Sequence, residues 1–338
     1  MQAVVFDQFG EPDEVLSLRE VEDPKPGPGE VLVRMLASPI NPSDLMSIRG
    51  IYGKLPNLPA IPGYEGVGIV EASGGGLLGG FLKGKRVAVL NRETGNWCEK
   101  TVVPAKQAIP LPAHLSVEQA AMFFVNPATS FIITRKLLQV PAGEWLLQSA
   151  AGSALGRMII RLGNKFGFRT LNVVRRKEQI DELKAIGADA VVHFDSEKHP
   201  VEHLREEVLK FTDGNGVRYA IDPVGGTVAS AVANCLGKGA QMLVFGTLTT
   251  EPLSLSPRQL IGNGASLHGF WLTNYMDAQG LFAKIRLVRQ VGGLHKAGVL
   301  HSDVGERFTL QNISDAVREA ETVGRGGKVL LDIESSFK

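Results

Sequence analysis

Trp145-Leu146-Leu147-Gln148, followed by Ser149-Ala150-Ala151-Gly152-Ser153-Ala154-Leu155-Gly156, is the stretch whose reading decides the fold. The first four residues form a short apolar run, and the small residues after them interrupt it. Leu155, Met158, Ile159, Leu162 and Phe166 then recur at helical spacing, Gly167 stands where that helix would stop, and Leu171-Asn172-Val173-Val174 is a second apolar run. Period and punctuation together predict strand, tight turn, helix, strand. Small side chains from Ala151 to Gly156 let the backbone approach a pyrophosphate, whose charge favours the free N–H groups of a helix N-terminus. In dinucleotide sites an acidic residue about 20 positions further on accepts from the ribose 2′-hydroxyl. Here the second strand ends instead in Arg175-Arg176-Lys177. A carboxylate would repel a 2′-phosphate, whereas guanidinium groups pair with it, so the stretch reads as an NADPH site. An ordinary βαβ crossover with a solvated basic end is the alternative that these residues leave open.

Composition narrows the class. With 338 residues, 44% of them hydrophobic and 21% charged, the chain has the make-up of a soluble globular protein of two domains or one large α/β domain. A net charge of +1 gives no electrostatic reason to expect nucleic acid or a membrane as partner. Apolar stretches are broken by glycine or charge well before the roughly 18 residues that a membrane span needs. Cys98 and Cys235 are too few for a disulfide framework and have no basic neighbour to activate them, so a reducing cytoplasm is expected and a nucleophilic thiol is not. Met1 leads directly into Val4-Val5-Phe6, and no signal or transit segment is expected before it.

Up to about residue 118, short strand candidates alternate with Pro/Gly turns: Val4-Val5-Phe6, Val31-Leu32-Val33-Arg34-Met35, Gly66-Val67-Gly68-Ile69-Val70 and Arg86-Val87-Ala88-Val89-Leu90. Such spacing predicts a small barrel. A short helix is expected after Pro42, capped by Ser43. From Trp145 onward strands expected at 191–194, 217–221, 242–245 and 267–271 alternate with helices at 202–211 and 228–236, which predicts a parallel, doubly wound sheet. Residues 278–296 look helical, and Lys328-Val329-Leu330-Leu331-Asp332 looks like a closing strand that returns to the first domain. His193 and His268, both in strand-like runs, read as core histidines, and Gly74-Gly75-Gly76 reads as a loop tip.

Several local segments carry a family resemblance. Tyr64-Glu65-Gly66-Val67-Gly68 and the preceding Ile40-Asn41-Pro42-Ser43-Asp44 resemble the Gly-His-Glu-x-x-Gly region of the medium-chain dehydrogenase/reductases. Asp222-Pro223-Val224-Gly225-Gly226 and Phe245-Gly246 resemble later strand ends of that family's cofactor domain, and Gly326-Gly327-Lys328-Val329-Leu330 its closing segment. Gly50-Ile51-Tyr52-Gly53, Leu58-Pro59-Ala60, Val125-Asn126-Pro127-Ala128-Thr129, Asn172-Val173-Val174-Arg175 and Gly269-Phe270-Trp271-Leu272 look like one branch, the zinc-free 2-enoyl thioester reductases. That branch reduces trans-2-enoyl-CoA or enoyl-ACP with NADPH in fatty-acid synthesis; the quinone oxidoreductases are its neighbour. The resemblance implies an α/β protein: a GroES-like β-barrel substrate domain at 1–118 and 299–338, and a Rossmann cofactor domain at 119–298. It implies a homodimer paired through 267–271. It places cofactor contacts at Asn41, Thr129, Ser149, Ala151, Gly152, Ser153, Ala154, Leu155, Arg175, Arg176, Phe245, Gly246, Phe270, Trp271 and Lys328. Thr129 reads equally as a helix-initiating hydroxyl, and Phe270 and Trp271 as an acyl tunnel lining or as packing. Ala154 stands where the family usually has glycine.

No metal is expected. The zinc-bearing branch of the family has Cys and His where this chain has Asn41 or Ser43 and Tyr64, and amide, hydroxyl and phenol are poor zinc ligands. Reduction of an activated double bond is the chemistry that then fits: hydride goes to the β-carbon, and the carbonyl oxygen and α-carbon need a donor and a proton. By resemblance Tyr52 takes that role; its other reading is a turn residue between Gly50 and Gly53. The expected function is therefore an NADPH-dependent enoyl thioester reductase, with an NADPH:quinone oxidoreductase and a non-catalytic NADPH-binding protein as alternatives.

Overall fold

Alternation with period two and repetition with period 3.6 divide the chain between two kinds of sheet. The structure, a computed structural model, describes residues 1–91 and 93–337. Its strands are β1 (Gln2–Val5), β2 (Ser17–Glu20), β3 (Glu30–Pro39), β4 (Glu65–Ser73), β5 (Arg86–Leu90), β6 (Lys100–Pro104), β7 (Ala108–Pro110), β8 (Trp145–Gln148), β9 (Arg169–Val174), β10 (Ala190–His193), β11 (Val217–Asp222), β12 (Leu236–Val244), β13 (Ser266–Gly269), β14 (Val304–Phe308) and β15 (Lys328–Asp332). Two compact units contain them: Met1–Val125 with Ser302–Lys338, and Asn126–His301.

In the first unit the sheet runs β14-β15-β3-β4-β5-β7, with β6 also paired to β3. β15 lies antiparallel to β3, Leu330 opposite Pro39 and Leu331 opposite Ser38. The end of the chain thus completes the unit that its beginning opens. Val31, Val33 and Met35 alternate inward on β3, the pattern of a strand with one buried face. They share a core with Ile313, Ala316, Val317 and Ala320, the i, i+3, i+4, i+7 stripe of the helix Ile313–Glu321.

In the second unit every adjacent pair of strands is parallel, in the order β10-β9-β8-β11-β12-β13. Numbered within the unit this is 3-2-1-4-5-6, the doubly wound order of dinucleotide-binding sheets, and β8 stands where the order reverses. The helix Ala154–Phe166 follows β8; Ser153 Oγ caps it by accepting from the Gly156 N–H, and Gly167 ends it in the left-handed region at φ 78°. Helix and turn approach closely at Gly156, where an added Cβ would lie 2.5 Å from the Ala151 carbonyl oxygen. Beneath them Gln148 Nε2 donates to Asn172 Oδ1 at 2.6 Å and to the Gly156 carbonyl at 3.1 Å, and Asn172 Nδ2 donates to the Ala190 carbonyl at 2.9 Å. This buried ladder ties three strands and the helix together with its polar groups paired.

Several expectations are corrected. Asn41, not Ser43, caps the first-unit helix, which spans Pro42–Ile48; proline fits the first helical position because its fixed φ suits it and its missing N–H costs nothing there. The helix expected at 228–236 is Gly226–Asn234, and Leu236 already begins β12, whose exposed Lys238, Gly239 and Gln241 interrupt its apolar pattern. Residues 278–296 include a break at Gly280, which precedes the helix Leu281–Lys296. β13 stops at Gly269, and Trp271 caps the next helix. His268 is exposed and His193 half-buried, because β13 and β10 are the edges of the sheet; neither is a core histidine. The Gly74–Gly76 run is a loop, as expected, and what the sequence hid is the short helix after it, Leu77–Leu82, which Gly79 and Gly80 disguise. Among the described residues no helix is long and apolar enough to cross a membrane.

Candidate active site

In the second unit nearly all the expected cofactor residues follow the C-terminal ends of parallel strands, where open α/β sheets bind ligands. Ser149 to Leu155 follow β8, Arg175 and Arg176 follow β9, Phe245 and Gly246 follow β12, and Phe270 and Trp271 follow β13. The turn after β8 is held on both sides. Ser149 Oγ is hydrogen-bonded to the buried carboxylate of Asp222, the last residue of β11. That carboxylate also accepts from the N–H groups of Val224 at 3.0 Å and Gly225 at 2.7 Å. Burial pushes the Asp222 carboxyl above the usual range, against the pull of these hydrogen bonds. The Ala151 N–H donates to the Val173 carbonyl at 3.2 Å, and Ala150 takes a left-handed φ of 48°, uncommon for a residue with a Cβ. The chain thereby reaches the helix with Ser153 as cap. An α-helix leaves its first N–H groups without intrahelical partners, and the first turn of this helix, from Ala154, has the arrangement that suits an anion.

Arg175 is exposed and Arg176 half-buried, and among the described residues neither forms an ion pair. Two guanidinium groups at the end of β9, unpaired and next to the turn of the neighbouring strand, suit a phosphate ester. Gln179, which carries no local sequence signal of a role, packs its amide on Gly152, where an added Cβ would lie 2.1 Å from Nε2. Nothing in the local sequence at the end of β11 signals that the Asp222 side chain anchors the turn after β8. Thr129 is buried in the interior of the helix Val125–Ile132, so it does not initiate that helix. Phe270 stacks obliquely on Tyr275 with centroids 6.0 Å apart. Trp271 is 36% exposed.

In the first unit the expected residues gather around buried charge. Asn41 Nδ2 donates to Glu65 Oε1 at 3.1 Å, and Glu65 Oε2 accepts from the Val125 N–H at 3.0 Å. Asp44 accepts from the N–H groups of Asn41 at 2.7 Å and Tyr64 at 2.9 Å. Burial raises both carboxyls, that of Asp44 to about 7. Lys328, also buried, is lowered to about 8 by burial although Glu65 and Asp44 favour its charged form. Asn41 is therefore engaged as a cap and as a partner of Glu65. The clustering of Asp44 and Glu65 with Lys328, far apart in sequence, had no local signal.

Tyr52 lies between Gly50 and Gly53, both at positive φ, and its ring is 5.7 Å from that of Tyr64. Tyr64 Oη is 3.0 Å from Ser47 Oγ, and burial pushes the phenol up to about 12. Tyr64, Ser47 and Asp44 line a cavity of about 340 Å³ with Lys54, Asn57 and Asn91. A neutral phenol, an amide committed to a carboxylate and a hydroxyl make a poor zinc shell. Among the described residues no group of three His, Cys, Asp or Glu side chains is placed to hold a metal. Cys98 and Cys235 are buried, and burial raises each thiol to about 12, which makes them inert.

Two family models match the chain: an alcohol dehydrogenase GroES-like domain over residues 27–113 and a zinc-binding dehydrogenase domain over residues 154–286. A mitochondrial enoyl-[acyl-carrier-protein] reductase of Xenopus tropicalis is 30% identical over 98% of this chain and 95% of its own. The corresponding protein of Rattus norvegicus is 33% identical over 94% of this chain and 84% of its own. Among solved structures, a Bacillus thuringiensis protein provisionally named an NADPH:quinone reductase is 31% identical, with a TM-score of 0.89 and 98% of each chain covered.

Proposed function

The chain belongs to the medium-chain dehydrogenase/reductase superfamily, in the group shared by enoyl thioester reductases and quinone oxidoreductases, and from that premise we propose that it is an NADPH-dependent reductase of activated carbon–carbon double bonds, with trans-2-enoyl thioesters as its substrates. One observation carries the cofactor reading. At the point where the strand order reverses, a small-residue turn opens a helix, and the next strand is followed by two guanidinium groups that have no carboxylate partner among the described residues. The close approach at Gly156 and the cap at Ser153 fit a pyrophosphate, and Arg175 with Arg176 fit the 2′-phosphate.

When bound, NADPH supplies the hydride that the β-carbon accepts. The chain's own groups then have to support charge on the carbonyl oxygen and deliver a proton to the α-carbon. We assign that to Tyr52, since a phenol with a reference pKa of about 10 donates while staying neutral at pH 7. Tyr64, tied to Ser47, backs the Tyr52 ring. The first unit is the proposed substrate side and the second the cofactor side. A homodimer through β13 is proposed because that strand has a neighbour on one side only, and because Ile261 and Phe282, in helices before and after it, are 81% and 85% exposed. A reducing cytoplasm suits the two buried, unpaired thiols.

The deciding experiment is NADPH oxidation with crotonyl-CoA, a long-chain enoyl-CoA and a quinone. Turnover of the thioesters supports the proposal. Turnover of the quinone alone would favour the other branch, which the Bacillus structure keeps in view. No turnover with any of the three would favour a binding protein. NADPH should also bind ahead of NADH, and Arg175→Asp should remove at least tenfold of that preference, since a charged hydrogen bond contributes about 1.5–3 kcal/mol.

A further inference from the structure

Behind the two arginines stands a group of three histidines that the proposed function leaves without a role. His193 is the last residue of β10, opposite Val174, the last residue of β9. Its Nε2 lies 3.0 Å from the carbonyl oxygen of Arg175. A carbonyl only accepts, so Nε2 carries the proton and the imidazole donates. Beyond it the ring of His199 meets His193 edge-on, with centroids 5.2 Å apart, and His203 stacks on His199 at 4.4 Å. His199 Nδ1 accepts from the Asp195 N–H at 3.0 Å, which fixes that ring's tautomer as well. Asp195 in turn is paired with Lys198 at 2.8 Å and accepts from the Glu197 N–H. The His193 ring is therefore wedged from behind by a fixed stack while its one oriented donor reaches forward to the backbone of the basic segment.

This matters because Arg175 follows directly on β9 and leaves the sheet. The β9–β10 ladder ends at the 174/193 pair, with the Phe194 N–H on the Val174 carbonyl. Past that point the His193 bond holds the Arg175 carbonyl. It fixes the peptide between Arg175 and Arg176, and with it the directions in which both side chains start from the backbone.

We propose that His193 is a positioning residue for cofactor selection: by holding the Arg175 carbonyl it aims the Arg175–Arg176 pair at the 2′-phosphate of NADPH. The inference rests on the basic-pocket reading given above and adds the residue that aims it. NADH has no phosphate there, so its affinity is indifferent to the aim.

The test is the dissociation constant of NADPH and of NADH, by cofactor fluorescence, for the wild-type chain and three variants. His193→Phe keeps the ring and removes the donor; His193→Gln places an amide N–H close to where Nε2 lies; Arg175→Ala tests the pocket itself. One lost neutral hydrogen bond corresponds to up to about tenfold in affinity. His193→Phe is expected to weaken NADPH by about that factor with NADH unchanged within about twofold, and His193→Gln to restore most of the loss. Unchanged NADPH affinity in His193→Phe, or equal weakening of both cofactors, overturns the proposal. If Arg175→Ala lowers the NADPH:NADH ratio and His193→Phe does not, the pocket stands and only the role of His193 falls. If Arg175→Ala leaves the ratio untouched, the pocket reading and this one fall together.

Discussion

At the scale of single residues, chemistry is set by what each polar group is already bonded to. Asn41 and Tyr64 are both committed, Asn41 to Glu65 and Tyr64 to Ser47. Tyr52 has its ring supported by Tyr64 and stands on a turn of two left-handed glycines. If it is the proton donor, Tyr52→Phe should lower turnover by about 100-fold or more, the usual effect of losing a general acid, with NADPH affinity unchanged. Steady-state rates alongside cofactor titration measure both, and unaltered turnover would return Tyr52 to a turn residue. Asp44 gives a test with a sign. Burial raises its carboxyl from 3.8 to about 7, so the folded protein binds a proton that the unfolded chain has released. Its contribution to stability is complete below about pH 4 and is lost as pH rises through about 7. The difference in melting temperature between the wild type and Asp44→Asn should therefore shrink or reverse between pH 4 and 7. A difference that is constant over that window would show that Asp44 is ionised throughout.

At the scale of elements, close approach decides more than propensity. The helix Ala154–Phe166 could be read from its apolar spacing, its serine cap and its terminal glycine. What the spacing could not reveal is that Gly156 touches the Ala151 backbone, so that the glycine is needed for contact and not for flexibility. Gly156→Ala should cost about 1–3 kcal/mol, the usual penalty of overpacking against atoms that cannot move aside. Gly293→Ala, within the helix Leu281–Lys296, meets nothing within 4 Å and should stabilise by up to about 1 kcal/mol. Urea unfolding of the two variants checks the contrast, and equal effects would refute it. Strand ends were less legible than strand centres. β12 carries exposed polar residues over its first half, and β13 yields to a helix cap at Trp271. Hydrogen bonding to neighbours fixes such limits, and no window of local sequence contains those neighbours.

At the scale of the whole molecule, each unit owns its core. The tail from Val304 belongs to the first unit because β15 pairs with β3 and Ile313, Val317, Val329 and Leu331 enter its core. Exposure bears on assembly. Phe282 is 85% exposed, so Phe282→Glu should be harmless to a monomer but should split a dimer that buries it. Light scattering of both proteins decides, and a wild type that is already monomeric removes the proposed interface. By itself the sequence determined the parallel doubly wound sheet, the turn and helix after Trp145 and the basic end of β9, because periodicity, small residues and charge are local properties. Only the tertiary structure decided that Asp222 anchors Ser149, that Lys328 lies buried with Asp44 and Glu65, and that His193 holds Arg175. Those groupings join residues 18 to more than 280 positions apart, and proximity over such distances is fixed by strand order and packing rather than by any pattern along the chain.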